Sequence, residues 1–471
     1  MLPAFHLKSS PRKIIMIDET AAPPPPAAPK LGRQIKDLLR LALPVIGSRL
    51  GMLTMALADT VMLGRFAARE LAYQSIAIAV TIPLFVTAIG LCLGTLVATA
   101  RANGAGRFAD CGAAWRRGLV YAAGLGTVCL CLALAGEWAL ELSGQNAELS
   151  REGGRVVRVL ALGLPFMIIY ISCAYFMEAL KRPTVPMFLM IAANLLNIFL
   201  NWMWIYGNLG FPSLGAVGSA WASTSVRAGL AAALILYIWN LHDHERLGVR
   251  SRAGGGWRAW REQRRIGYSA GASQAVESMA FSLQTLIAGL LGTIALAAYS
   301  IAFQMLGMMF MVALGIGSAT AVLVGHAWGA RDVPGMARAG WLGLGVNSVA
   351  MLALGGLVFA LAPSIAEGFA VEAALIAAAA PLIAFIGIVL LFDGGQVVLS
   401  HALRGRGDAL VPVLTHSISY LMVMIPLSWF LALKAGRGPQ GILEAILIAS
   451  LVLMALLAWR FHFLAKRGSV S

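Results

Sequence analysis

Twelve apolar runs, each near the length of a membrane-crossing helix, constrain this 471-residue chain more than any other feature. They lie at roughly 40–63, 74–100, 117–136, 156–180, 184–207, 214–240, 265–292, 297–325, 337–362, 373–402, 409–433 and 441–464. A bilayer core takes about 20 residues of helix, so the pattern predicts an all-α membrane protein with twelve transmembrane helices. Charge supports this: 12% of residues are charged, against about 25% in soluble domains. Glycine and proline mark the joins, as at Gly104/Gly106, Pro183/Pro186 and Gly405/Gly407.

Lysine and arginine are spread unevenly over the joins. The amino-terminal tail, Arg101, Arg107, Arg116, Arg117, Lys181, Arg182, the cluster from Arg246 to Arg265, Arg331, Arg338, Arg404, Arg406, Arg460, Lys466 and Arg467 fall on one side. The other side has Arg65, Arg69, Arg151, Arg155, Arg158, Lys434 and Arg437. Basic loops stay in the cytoplasm, so both termini are expected there. The net charge of +15 then belongs to loops beside anionic headgroups, and no nucleic-acid partner is expected. Residues 1–37 read as a disordered cytoplasmic tail with a proline run at Pro23 to Pro26. The lipid-embedded segments divide into an amino lobe (38–241) and a carboxyl lobe (265–464), joined by a basic cytoplasmic linker (242–264) and followed by a cytoplasmic end (465–471). Trp257 and Trp260 suit an interfacial helix within that linker.

The two lobes repeat weakly. Ala72-Tyr73 matches Ala298-Tyr299, and Pro186 matches Pro412, both at an offset of 226 positions. NGAGR at 103–107 also resembles WGARD at 328–332. Six helices per repeat preserve orientation, which implies parallel halves about an axis along the membrane normal, as in many secondary transporters.

Three acids lie well inside the apolar runs: Asp59, Glu277 and Asp393. A carboxylate at membrane depth is costly and marks an ion, proton or substrate path, or else a structural hydrogen bond to a neighbouring helix. Glu277 shares a helical face with Ser273, Gln274 and Gln284. Asp393 is followed by Gly394, Gly395, Gln396 and Ser400, so its polar face continues along a helix that glycine can locally break. Glu277 and Asp393 can share one proton or supply oxygens to a small hard cation such as Na+. Asp59 shares its face with Met52, Met55 and Met62; methionine recurs at surfaces that accept varied ligands and equally at helix interfaces. Asn194, Asn197 and Asn201 stack on one face, either to bind an acid, water or ion or to hold helices together.

Enzyme signatures are missing. The seven histidines form no HExxH and no GxxxxGK[ST] loop occurs, so no cofactor is expected beyond a coupling H+ or Na+. The five cysteines show no metal or disulfide spacing. A membrane-embedded enzyme would need a paired His or Cys nucleophile or base near the surface. A lipid-linked oligosaccharide flippase would need a basic cavity, for which Arg49 and Arg227 are the intramembrane candidates.

The stretches LPVIGSRLGMLTMALADTVMLG, ARANGAGR, NIFLNWMWIYG with LGAVGSA, the Glu277 segment, YSIAFQ with GIGSATAVLVGHAWGAR, and FDGGQVVLSHALRGRGD occur in this order over about residues 38–464. On these residues the chain resembles the multidrug and toxic compound extrusion (MATE) family, specifically its bacterial NorM-like branch. The resemblance implies a two-lobed twelve-helix antiporter of the bacterial inner membrane that exports lipophilic cations in exchange for inward H+ or Na+, and a monomer is expected. Asp59 matches the family's amino-lobe acid, Asn197 and Asn201 its fifth-helix asparagines, and Glu277 and Asp393 its paired carboxyl-lobe acids. Tyr299, Gln274, Gln284, Gln396, Met55, Met62 and Asn194 join the expected substrate or ion path. The chain departs from the pattern at Arg49, in the tail and in having no second acid beside Asn201.

Overall fold

The computed structural model describes residues 30–142, 147–251 and 256–467. Twelve long helices carry it: α1 Leu31–Phe66, α2 Ala68–Gly104, α3 Phe108–Leu134, α4 Ala147–Ala179, α5 Thr184–Trp204, α6 Gly215–Trp239, α7 Arg261–Leu290, α8 Thr293–Gly329, α9 Val333–Phe369, α10 Ala373–Arg406, α11 Leu410–Lys434 and α12 Gly438–Arg467. A short helix, Gly136–Leu142, precedes α4. No strand occurs among the described residues.

Eleven of the twelve are long and apolar enough to cross a membrane. The other is α7, whose apolar run is diluted by Gln274, Glu277 and Gln284 and by the basic turn at its start. It packs among the others, between α2, α8 and α11. Helix α1 begins at Leu31, so the last residues of the expected tail are helical; Met1 to Pro29 and the end from Gly468 lie outside the described residues.

Two apolar cores form, one per lobe, with the middle of α8 (Ile316, Ala319, Val322) inserted into the amino-lobe core. The duplication is visible in the backbone. Helices α2 and α8 are each 37 residues long. Their starts, Ala68 and Thr293, are 225 positions apart, as are those of α3 and α9. The turns closing α2, α4, α8 and α10 each hold one residue at positive φ: Gly106 (70°), Lys181 (61°), Arg331 (58°) and Gly407 (96°).

The connection after α6 is strapped onto the amino lobe. Arg182 grips Asp243 with two hydrogen bonds of 2.8 Å, and this partner holds the Asp243 carboxyl below the usual carboxylate range. Gly112 N donates to Leu247 O at 2.9 Å, and Leu247 and Val249 are buried. Trp257–Trp260 form a 3₁₀ turn that runs directly into α7.

The lobes meet along α2, α7 and α8, and the contact reaches from the linker end to about mid-depth. Gly90 and Gly94 of α2 face Ala270 and Gln263 of α7, while Gly267 and Gly271 of α7 face Leu91. Spacing of four puts small residues on one helical face and lets backbones touch, the usual device for helix pairs in lipid. At the end of the bundle, a Cβ on Gly104 would strike the His326 carbonyl, and one on Gly329 the Arg101 carbonyl. Polar contacts complete this seal. Gln263 Nε2 donates to Thr95 Oγ1 and to Ala114 O, both at 3.1 Å. His326 Nε2 lies 2.8 Å from Ala179 O. Arg101 pairs with Glu262, donates to Arg406 O at 2.8 Å and stacks on Trp328. In the half farther from the linker, Gly289, Gly292 and Gly307 have open space around them.

Candidate functional site

The expected site residues gather in two clusters, one per lobe. In the amino lobe, Asp59 sits seven residues before the end of α1, about 10 Å from the end opposite the linker at 1.5 Å per residue. Asn201 Nδ2 of α5 donates to Asp59 Oδ1 at 2.6 Å, and Ser223 Oγ of α6 donates to Oδ2 at 2.7 Å. Asn197 accepts from Asn201 at 3.1 Å and donates to Ser223 at 3.4 Å, which closes a four-residue ring. The Arg227 guanidinium lies within electrostatic reach of Asp59. A buried carboxylate needs such partners, because desolvation otherwise outweighs folding gains. Asn194 is not part of the ring: it donates to Gly51 O and Met190 O and fastens α5 to α1. Met55 and Met62 pack into the amino-lobe core.

In the carboxyl lobe, Glu277 stands sixteen residues into α7 and Asp393 thirteen before the end of α10, both near mid-depth. Glu277 is 7% and Asp393 1% exposed, and the Asp393 charge acts on Glu277. Gln274 Nε2 donates to Glu277 Oε2 at 2.8 Å. Ser450 Oγ of α12 donates to Asp393 Oδ1 at 3.1 Å, and Gln396 Nε2 donates to the same oxygen and to Tyr420 Oη. Tyr420 lies in a π-helical turn, Ile418–Met424, inside α11; such turns often re-aim side chains at functional sites. A string of rings joins Tyr299 to this centre: Tyr299 to Phe303 at 5.9 Å, Phe303 to Phe281 at 5.1 Å, Phe281 to Tyr420 at 6.0 Å. Gln284 is fully buried, and both its polar atoms lack a protein partner, as do Gln396 Oε1 and Ser400 Oγ. Buried polar groups are normally hydrogen-bonded, and these atoms are exceptions.

Several residues in and around these clusters escaped sequence reasoning, Ser223 and Tyr420 among them. Arg404, expected in a cytoplasmic loop, is buried in α10 and donates to Ser273 Oγ at 2.8 Å. Its signal was present, since Asp393, Gln396, Ser400 and Arg404 fall on one helical face. Glu178 is buried at the end of α4, 3.6 Å from Arg49, and accepts from Ser318 of α8 at 2.5 Å. Asn347 of α9 is fully buried beside Gly394, with neither amide atom partnered. Ser450 carried no pattern at all. His416 of α11 is buried inside the bundle. A cavity of about 520 Å³ opens elsewhere, among Glu70, Tyr73, Glu152, Arg155 and Ser213, and its acids are already engaged: Glu70 by Ala216 N and Glu152 by Arg155.

No group of three or more His, Cys, Asp and Glu suited to a metal occurs among the described residues. Buried carboxylates in both halves of a duplicated bundle of lipid-compatible helices fit a multi-pass membrane transporter. The MatE family model matches residues 44–203 and again 270–430, once in each lobe. The chain belongs to the MatE family. It is 41% identical over 434 residues to a probable multidrug resistance protein NorM of Caulobacter vibrioides, covering 92% of each chain. Another NorM-named relative, from Bradyrhizobium diazoefficiens, is 31% identical, covering 93% of this chain and 95% of its own. Among solved structures, the eukaryotic MATE transporter AtDTX14 superposes with a TM-score of 0.85 at 19% identity, over 93% of this chain and 98% of that one.

Proposed function

We propose that this chain is a secondary active multidrug exporter of a bacterial inner membrane, exchanging lipophilic cations for inward H+ or Na+. The observation that carries this reading is the Glu277–Asp393 pair, two carboxylates at mid-depth that share one buried polar neighbourhood. Two like charges so placed cannot both stay bare, so the pair binds a proton, a small cation or a cationic drug, and these compete. Coupling follows when ion and drug favour different conformations of the two lobes. With the linker end in the cytoplasm, as the basic loops favour, the glycine seal lies on the cytoplasmic side and the present state is closed inward. Asp59 and its ring would bind or sense cations in the amino lobe.

For the flippase reading, the two intramembrane arginines expected to hold a pyrophosphate are already engaged. Arg49 is paired with Glu178 and Arg227 stands beside Asp59. The test is efflux of ethidium from proteoliposomes under imposed pH or Na+ gradients. Export driven by either gradient is expected, and Glu277→Gln and Asp393→Asn should each abolish it while protein remains in the membrane. Wild-type export by both variants would refute the coupling role of the pair.

A further inference from the structure

We propose that Arg404 is the fixed counter-cation of the Glu277–Asp393 pair, so that the emptied carboxyl-lobe site carries one net negative charge and takes up one positive charge per cycle. The inference rests on the exchange reading above and adds the residue that sets its charge. Arg404 is 3% exposed, on α10, eleven residues and three turns beyond Asp393 on the same face. Long helical side chains lean toward the amino terminus of their own helix, which aims the guanidinium back along the polar stripe toward Asp393. Its Nη2 donates to Ser273 Oγ at 2.8 Å, one turn of α7 before Glu277, and it interacts electrostatically with Glu277. Its Nε has no partner. An arginine held in the bundle by a single serine hydroxyl is a poor structural tie, because burying a guanidinium costs several kcal/mol. Glu277, which it reaches, offsets that cost, and Asp393 acts on Glu277 in turn.

The remaining charges nearby are accounted for. Arg49 is 3.6 Å from Glu178, and Arg227 faces Asp59. The other groups around Glu277 and Arg404 are the hydroxyls of Tyr420 and Tyr175 and the imidazoles of His401 and His416. Both imidazoles are fixed through Nδ1 to a carbonyl of their own helix, Val397 O at 2.9 Å and Pro412 O at 2.6 Å. A further cation beside a buried guanidinium is costly, so neutral imidazoles leave two carboxylates against one arginine. Without Arg404 the empty site would hold two negative charges, and one carboxylate would retain a proton through the cycle.

The experiment is binding of tetraphenylphosphonium to the purified full-length protein in nanodiscs, as a function of pH. Wild-type binding should weaken in acid, with about one proton released per cation bound. Arg404→Gln should move the midpoint to higher pH by about one unit, because removing the fixed charge strengthens proton competition. Arg404→Lys should restore the wild-type midpoint, which a purely packing role would not do. Ser273→Ala, which only loosens the guanidinium, should give a smaller shift of the same sign and serves if Arg404→Gln does not fold. An unshifted midpoint in folded Arg404→Gln or in Ser273→Ala, or an equal shift in Arg404→Lys, would overturn the assignment. If the wild-type protein binds no tetraphenylphosphonium at any pH, the exchange reading falls and this one with it.

Discussion

Single side chains decide which buried charges are exchangeable and which are fixed. Arg49 and Glu178 form a pair joining α1 to α4, and Ser318 of α8 extends it across the lobes. Glu178→Gln leaves Arg49 buried without its partner and is expected to cost about 3–5 kcal/mol, read as a lowered thermal midpoint in detergent. The apolar double replacement Arg49→Met/Glu178→Leu removes both charges and should recover most of that loss, since apolar substitutes of similar volume are often neutral. Equal destabilisation by single and double variants would show that the pair acts through packing alone. Three of the four buried acids among the described residues were legible in the sequence, because Asp59, Glu277 and Asp393 interrupt long apolar runs. Glu178 was not, since it stands three residues before Lys181 and reads as a loop-side charge. Arg404 was hidden the same way by Arg406 and the glycines around it. Positive-inside counting assigns basic residues by sequence distance from a helix end, and it cannot tell a headgroup contact from a guanidinium folded back into the bundle.

Helices reveal what periodicity omits, namely which faces touch. Hydropathy gave the number and approximate span of the elements, since crossing a bilayer leaves little freedom. It gave no sign that Gly90 and Gly94 meet Gly267 and Gly271, because a glycine in lipid-facing and in helix-facing positions looks alike. Nor did it show the π-helical turn that positions Tyr420, which inserts one residue per turn without changing composition. The glycine contact leads to a prediction for α2 and α7. Gly94→Leu and Gly267→Leu each place a side chain against a backbone carbonyl of the opposing lobe. Both should abolish export while leaving helix content unchanged, and should expose the linker end to water-soluble thiol reagents at cysteines introduced there. Normal export by either variant would mean that the two helices separate freely at this crossing.

For the molecule as a whole, the seal at the linker end is a contact that an alternating transporter would have to break. Asn103 of α2 and His326 of α8 approach within 3.4 Å across the lobes at the linker end. In a background with the five native cysteines replaced, Asn103→Cys/His326→Cys should cross-link on oxidation, block export, and release it on reduction. Export by the cross-linked protein would show that this end never opens. The duplication was legible as two short matches at one offset, and the structure extends it to helix lengths and turn geometry. The linker's docking was not legible: its basic and tryptophan residues pointed to the membrane surface, yet Asp243, Leu247 and Val249 bind it to the amino lobe.

The four turns with positive φ record how the two copies diverged. Each copy keeps one glycine where left-handed backbone costs nothing and one basic residue where it does not: Gly106 and Lys181 in the first, Arg331 and Gly407 in the second. An L-residue in that region is disfavoured by about 1–2 kcal/mol. Glycine at positions 181 and 331 would restore the unstrained turn at both, so Lys181→Gly and Arg331→Gly should each raise the melting temperature slightly. The reciprocal Gly106→Ala and Gly407→Ala should lower it, the latter more, since its new methyl meets the Arg101 guanidinium. The molecule therefore carries, in mirror positions, an internal control for what one strained residue costs a membrane protein.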